Sequence, residues 1–255
     1  MKLQVFLMLT GLLMYLAPAA GAKGGIGLSV EPRAIEIGTF YDGTTLTVSG
    51  RIPLENRVVI QFSGERAEFS MKQKTKVGGL VWMNTGSVVF KQAPSVLLVF
   101  SGLDLKKSQE KPGRADFFSL ASLKKTIRVE AGDKVEGDMV GELIKLKQKE
   151  GLYREVTGHI TYEKAADGLK AFRAVIPIPS RLKPGVYTVE AAVLGKGGEV
   201  AAREGQKLEA RLAGLPALMA ALAFNHSIVY GIFATLIALF AGLGIGLVFQ
   251  GKGAH

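Results

Sequence analysis

Between Ser227 and Phe249 the chain runs "SIVYGIFATLIALFAGLGIGLVF" without one charged side chain. As an α-helix at about 1.5 Å per residue this segment reaches about 34 Å, enough to cross a hydrocarbon core of about 30 Å with some tilt. A buried helix of a soluble protein seldom runs so long without charge. The segment predicts a transmembrane helix over 227–249, and that constrains everything else. Residues before 227 fold on one side of a bilayer, and residues after 249 lie on the other.

A second apolar stretch opens the chain: "MKLQVFLMLTGLLMYLAPAAGA". Lys2 gives a positive start, Leu3 to Ala17 form a short apolar core, Pro18 breaks it, and Ala20-Gly21-Ala22 reads as an A-x-A cleavage site. The expectation is a secretory signal peptide over 1–22, removed after Ala22. The alternative, an uncleaved anchor, needs a longer helix than this core gives. A cleaved signal and one C-terminal span place residues 23 to about 212 outside the cytoplasmic membrane. Residues 250–255, "QGKGAH", are then a short cytoplasmic tail carrying Lys252. These two stretches account for a hydrophobic content as high as 48%.

The chain has no cysteine. A lipid-modified cysteine anchor, a thiolate metal site and thiol redox chemistry are therefore excluded, while about 190 exported residues can bury a core without disulfides. The formal charge is +10, from 32 basic and 22 acidic residues. Setting aside Lys2 and Lys252 leaves +8 on the exported part, which favours anionic partners or anionic lipid headgroups. Export argues against nucleic acid.

From Ser29 to Phe100 the signals are short and extended. "RAIEI" alternates, "TTLTVSG" is rich in β-branched residues, "RVVIQF" is an apolar run, and "PSVLLVF" reads as a strand buried on both faces. Turn chemistry separates them at Asp42-Gly43, Ser63-Gly64, Gly78-Gly79 and Thr85-Gly86. The spacing predicts a mainly β ectodomain, an immunoglobulin-like sandwich over 23–100. A helical insertion or linker comes next, over 101–151. In it "DFFSLASLKK" starts at Asp116 as N-cap, and "DMVGELIKLKQKEG" is capped by Asp138 with Met139, Val140, Leu143, Ile144 and Leu146 as its apolar face. Strand signals return over 152–205 in "REVTGHITYE", "AFRAVIPIP", "GVYTVEAAVLG" and "EVAAR". They form either a second small sandwich or the completion of the first. From Leu208 the stripe Leu208, Leu212, Leu215, Met219 and Leu222 has helical spacing, so 206–226 reads as a juxtamembrane helix.

Two sets of residues stand out as candidate sites. In "MKQKTKVGGLVWMN" an extended chain puts Lys72, Lys74 and Lys76 on one side, with the only tryptophan, Trp82, shortly after them. Charges so placed protect a sheet edge from mispairing, or they present a face to an anion or an acidic partner. Trp82 reads as a core residue before it reads as part of a ligand cage. In the span, Ala234, Ala238, Gly242 and Gly246 recur every four residues on one helix face, the spacing that lets a second helix approach closely in lipid. The "GLGIG" at 242–246 has no βαβ context, so a dinucleotide loop is excluded. Of the three histidines, His159, His226 and His255, no two have metal-ligand spacing, and no serine sits in a G-x-S-x-G elbow. The expectation is a protein that is not an enzyme and takes no cofactor or metal.

Several stretches together resemble a family of uncharacterised bacterial transmembrane proteins of the cell envelope, best known from alphaproteobacteria. They are "FYDGTTLTVSG", "KTKVGGLVWMNTGSVVF", "GLYREVTG", "FRAVIPIPSRLKPGVYTVEAAVL" and "VYGIFATLIALFAG", and they span most of the mature chain in order. The resemblance implies a signal peptide, a periplasmic domain and a single C-terminal span. It brings no established activity. Members are often encoded beside sulfite-exporter-type permeases, which implies an accessory role with a multi-pass anion permease. A stand-alone periplasmic module that binds an anionic solute or polymer is the alternative.

Overall fold

The computed structural model describes residues 25–77, 80–102, 118–131, 137–164 and 168–250. The expected signal peptide over 1–22 lies outside the described residues. The chain is mainly β, as the alternating stretches predict, with one long apolar helix at its C-terminal end.

A four-stranded antiparallel sheet has the order β1-β3-β11-β10, with β1 at Ser29–Glu31, β3 at Thr44–Pro53, β10 at Ile160–Lys164 and β11 at Leu169–Ile178. Period-two patterning gives this sheet one dry face and one wet one. Phe172, Ala174, Ile176 and Ile178 of β11 are buried with Leu46, Val48 and Ile52 of β3, while Arg173, Val175 and Pro177 are exposed. Phe172 pairs opposite Gly50, and its ring occupies the place a side chain at position 50 would take.

The six-stranded sheet has the order β2-β13-β12-β4-β7-β9. These strands are β2 Ala34–Ile37, β4 Arg57–Gly64, β7 Leu97–Ser101, β9 Tyr153–Thr157, β12 Gly185–Leu194 and β13 Val200–Leu212. Its two outermost pairings, β13 with β2 and β7 with β9, are parallel, and the rest are antiparallel. All five residues of β7 are buried, so both faces of this inner strand are covered, as its uninterrupted apolar run predicts. The buried faces of the two sheets belong to one hydrophobic cluster. Because β11 pairs with β3 and β12 pairs with β4, strands from both strand-rich regions of the sequence share both sheets.

Two expectations are corrected here. "REVTGHITYE" is not one strand: Gly158, at φ 87°, breaks it into β9 and β10, which belong to different sheets. The juxtamembrane helix expected over 206–226 begins only at Leu215, and residues 206–212 are the second half of β13. Leu208 and Ala210 are buried there, paired with Tyr187 and Gly185. A leucine spacing of four fits both periods, and strand pairing won.

The helical insertion is partly described. The stretch expected to start at Asp116, itself outside the described residues, yields a 3-10 turn at Leu120–Ser122 and the short helix α1, Leu123–Thr126. Buried Ile127 then turns the chain into β8, Arg128–Ala131. Helix α2, Met139–Lys149, forms as predicted: Asp138 caps it by accepting from Gly141 N at 2.9 Å, and Leu143 and Ile144 are buried. Asp138 also pairs with Lys124. Leu146 leaves the expected apolar face and is exposed, while Lys147 is buried with its Nζ 4.0 Å from the centre of the Phe69 ring. Burial holds that ammonium below its usual pKa.

Tyr153 ties the six-stranded sheet to the neighbouring hairpin. Its buried hydroxyl donates to the Pro94 carbonyl oxygen at 2.7 Å, and burial pushes the phenol well above its ordinary value of 10.0. Tyr153→Phe leaves that carbonyl without its partner and is expected to cost about 1–2 kcal/mol in denaturant unfolding, shifting the midpoint with an unchanged slope. Because the folded state holds the phenolic proton more tightly than the unfolded chain, this contribution is intact below about pH 10 and fades as pH rises beyond it. Phenolate absorbance from Tyr153 is therefore expected to appear only with unfolding.

Candidate functional site

The lysine-rich stretch forms one arm of a long hairpin. Strand β5, Arg66–Val77, pairs with β6, Val81–Pro94, and β6 pairs in turn with β8, so β5 is an edge strand of this three-stranded sheet. Lys72 is exposed opposite Ser87, and Lys74 and Lys76 occupy the positions opposite Asn84 and Trp82. The side chains of Lys74, Lys76 and Trp82 lie outside the described residues. An unpaired edge bearing lysines resists pairing with another chain, which fits the edge-protecting role. Near the hairpin tip Leu80 and Met83 are exposed.

The hairpin also contains two bulges. Gln73 sits opposite Gly86 and Lys74 opposite Asn84, leaving Thr85 as the extra residue; Ala67 sits opposite Ala93 and Phe69 opposite Phe90, which places another extra residue in β6. Within the second bulge Gln92 has φ 62°, the one positive φ of a non-glycine among the described residues. Left-handed backbone costs such a residue about 1–2 kcal/mol.

That bulge stands at the rim of a cavity of about 450 Å³, where β4 turns into β5 against β6, β7 and α1. Arg66 and Lys125 line it with Gln61, Ser63, Gln92 and Thr126, over a floor that includes buried Pro94, Leu97 and Leu123. Gly64 makes the corner possible, since a Cβ there meets the Ser95 side chain and approaches the Tyr187 ring to 3.0 Å. Sequence reasoning missed this site. Its residues are scattered from 61 to 126, and nothing in the residue type of Gln92 announces a left-handed backbone.

At the C-terminal end, Gly214 at φ 63° separates β13 from α3, Leu215–Asn225, and His226 closes α3 by donating its backbone N–H to the Leu222 carbonyl at 3.0 Å. Helix α4 comes next, at Ser227–Gln250. Lys207 and Arg211, within the stretch expected to form the juxtamembrane helix, lie on β13 instead. Leu218, Met219 and Leu222 of α3 face Phe233, Ala234 and Ala238 of α4 across an apolar groove of about 500 Å³. The small-residue quartet is thus divided. Ala234 and Ala238 belong to the groove, whereas at Gly242 and Gly246 a Cβ meets nothing within 4 Å. No residue of the window that defines the span is buried.

A protein family described as "Putative transmembrane protein (Alph_Pro_TM)" matches residues 25–251. The chain belongs to that family. No curated protein sequence matches it. In keeping with a transmembrane family, α4 is the one helix among the described residues long and apolar enough to cross a bilayer, and its large apolar side chains are exposed. The two histidines among the described residues do not converge: His159 is exposed, edge-on to the Phe100 ring at 6.5 Å, and His226 ends α3. Among the described residues no group of three or more His, Asp or Glu is placed to hold a metal.

The strained bulge gives a direct test of the cavity's architecture. Gln92→Gly accepts the positive φ freely and is expected to keep or raise stability by up to about 1 kcal/mol, whereas Gln92→Val is expected to lose about 1–2 kcal/mol. Thermal and denaturant unfolding of the two variants checks this.

Proposed function

We propose that the protein is a non-enzymatic accessory protein of the bacterial cytoplasmic membrane, its β body in the periplasm and its α4 docked on a multi-pass anion permease of the sulfite-exporter type. One observation carries this reading: no residue of the span in α4 is buried, and beyond the part that faces α3 it presents Gly242 and Gly246 with open space above them. In lipid no hydrophobic drive brings helices together, so close backbone approach over small residues is what favours a helix partner. The permease as the partner rests on the family resemblance.

The test is crosslinked co-purification of the tagged full-length protein from native membranes in mild detergent. A multi-pass permease is expected with the native span and not with an unrelated span of equal length. Gly242→Leu/Gly246→Leu is expected to cut recovery at least several-fold while leaving the protein in the membrane. Unchanged recovery with the double variant counts against the helix interface.

The stand-alone module for an anionic solute or polymer is the second reading, and Lys72, Lys74 and Lys76 on an edge strand support it. Trp82 fluorescence titrated with anionic glycans, with the triple lysine-to-alanine variant as control, distinguishes the two. A saturable response that depends on those lysines favours it.

A further inference from the structure

We infer that the cavity at the base of the β5–β6 hairpin binds a small organic anion, its charged head held by Arg66 and Lys125 and its apolar body lying on Pro94, Leu97 and Leu123. This goes beyond the helix contact and stands on other residues.

Charge supplies the first argument. Arg66 at the start of β5 and Lys125 in α1 are far apart in sequence and line the same cavity, whose lining contains no Asp or Glu. Among the described residues neither has an ion-pair partner, although Lys124, the immediate neighbour of Lys125, pairs with Asp138. Two cations without an ion pair among the described residues, lining one partly open cavity, favour an anion there. The planar guanidinium fork suits the paired oxygens of a carboxylate or sulfonate, and the ammonium adds a point charge.

The remaining lining narrows the class. Gln61, Gln92 and Ser63 bring amide and hydroxyl groups able to donate to anionic oxygens, while the Thr126 hydroxyl already donates to the Ser122 carbonyl at 3.0 Å. Pro94, Leu97 and Leu123 offer only hydrocarbon, which a bare inorganic anion cannot use and which a short aliphatic or aromatic body can cover. The volume of about 450 Å³ lies within the range usual for small-molecule sites. Strain supplies an independent pointer. The left-handed backbone at Gln92 holds a rim residue in place at an energetic cost, and such outliers gather at ligand sites.

Calorimetric titration of the full-length protein in uncharged detergent, at neutral pH and low salt, tests the inference with benzenesulfonate and hexanoate as probes. Both are expected to bind saturably at one site, hexanamide is expected not to bind, and inorganic sulfate is expected to bind at least about tenfold more weakly for want of an apolar body. Arg66→Gln/Lys125→Gln is expected to weaken both organic anions by about tenfold or more, the loss that one charge-assisted hydrogen bond implies. Arg173→Gln/Lys207→Gln removes the same charge away from the cavity lining and is expected to change affinity less than about twofold. Both cavity side chains are exposed, so circular dichroism is expected to show an unchanged fold, and Lys125→Glu alone offers a second route to the same loss. The absence of saturable binding, equal binding of hexanamide, sulfate binding as tightly as benzenesulfonate, or indifference to Arg66 and Lys125 overturns the inference.

Discussion

The body of this protein depends on one long antiparallel register, in which Leu169 to Ile178 lie against Pro53 to Thr44. It joins two segments more than a hundred residues apart and fixes which face of the four-stranded sheet is dry. A slip of one position turns Phe172, Ala174, Ile176 and Ile178 outward and buries Arg173 in their place. Phe172 opposite Gly50 makes such a slip costly, because the ring has room only where the facing residue lacks a side chain. The six-stranded sheet then closes on the same core, with β12 lying between β4 and β13.

Contacts between the six-stranded sheet, the hairpin and the helical insertion give the cavity its rigidity. Tyr153 reaches Pro94 by a buried hydrogen bond, and Lys147 lies over the Phe69 ring. Lys124 and Asp138 link α1 to the cap of α2. Arg66, Gln92 and Lys125 therefore stand on elements fixed by packing, the condition under which a few charged groups can select a ligand.

Features set by local chemistry were legible in the sequence. The uncharged run at 227–249 became α4, the continuous apolar run at Leu97–Phe100 became an inner strand, and Asp138 capped α2. Features set by competition between periods were not. Residues 206–212 carry leucines at a spacing shared by helix and strand, and pairing with β12 decided the outcome. At Gly158 a single left-handed residue sent one apparent strand into two sheets. The cavity was illegible for a third reason: Arg66, Gln92 and Lys125 meet only because a bulge, a glycine corner and a short helix converge, and none of these has a sequence period. The small-residue face at Ala234, Ala238, Gly242 and Gly246 was legible as a face, but not its division between an intramolecular groove and open space.

The central claim is that a self-sufficient β body is held at a membrane by its C-terminal helices. Neither α3 nor the span contributes a buried residue, whereas Ala213 still donates its backbone N–H to the Ile37 carbonyl at 3.0 Å, so the body ends there. The most direct measurement compares the full-length protein with a chain stopped after Ala213, by alkaline carbonate extraction of membranes and by circular dichroism of the shortened chain. The account predicts that the full-length protein resists extraction while the shortened chain is soluble, rich in β structure and cooperative in unfolding. Release of the full-length protein by carbonate, or a shortened chain that fails to fold, contradicts it.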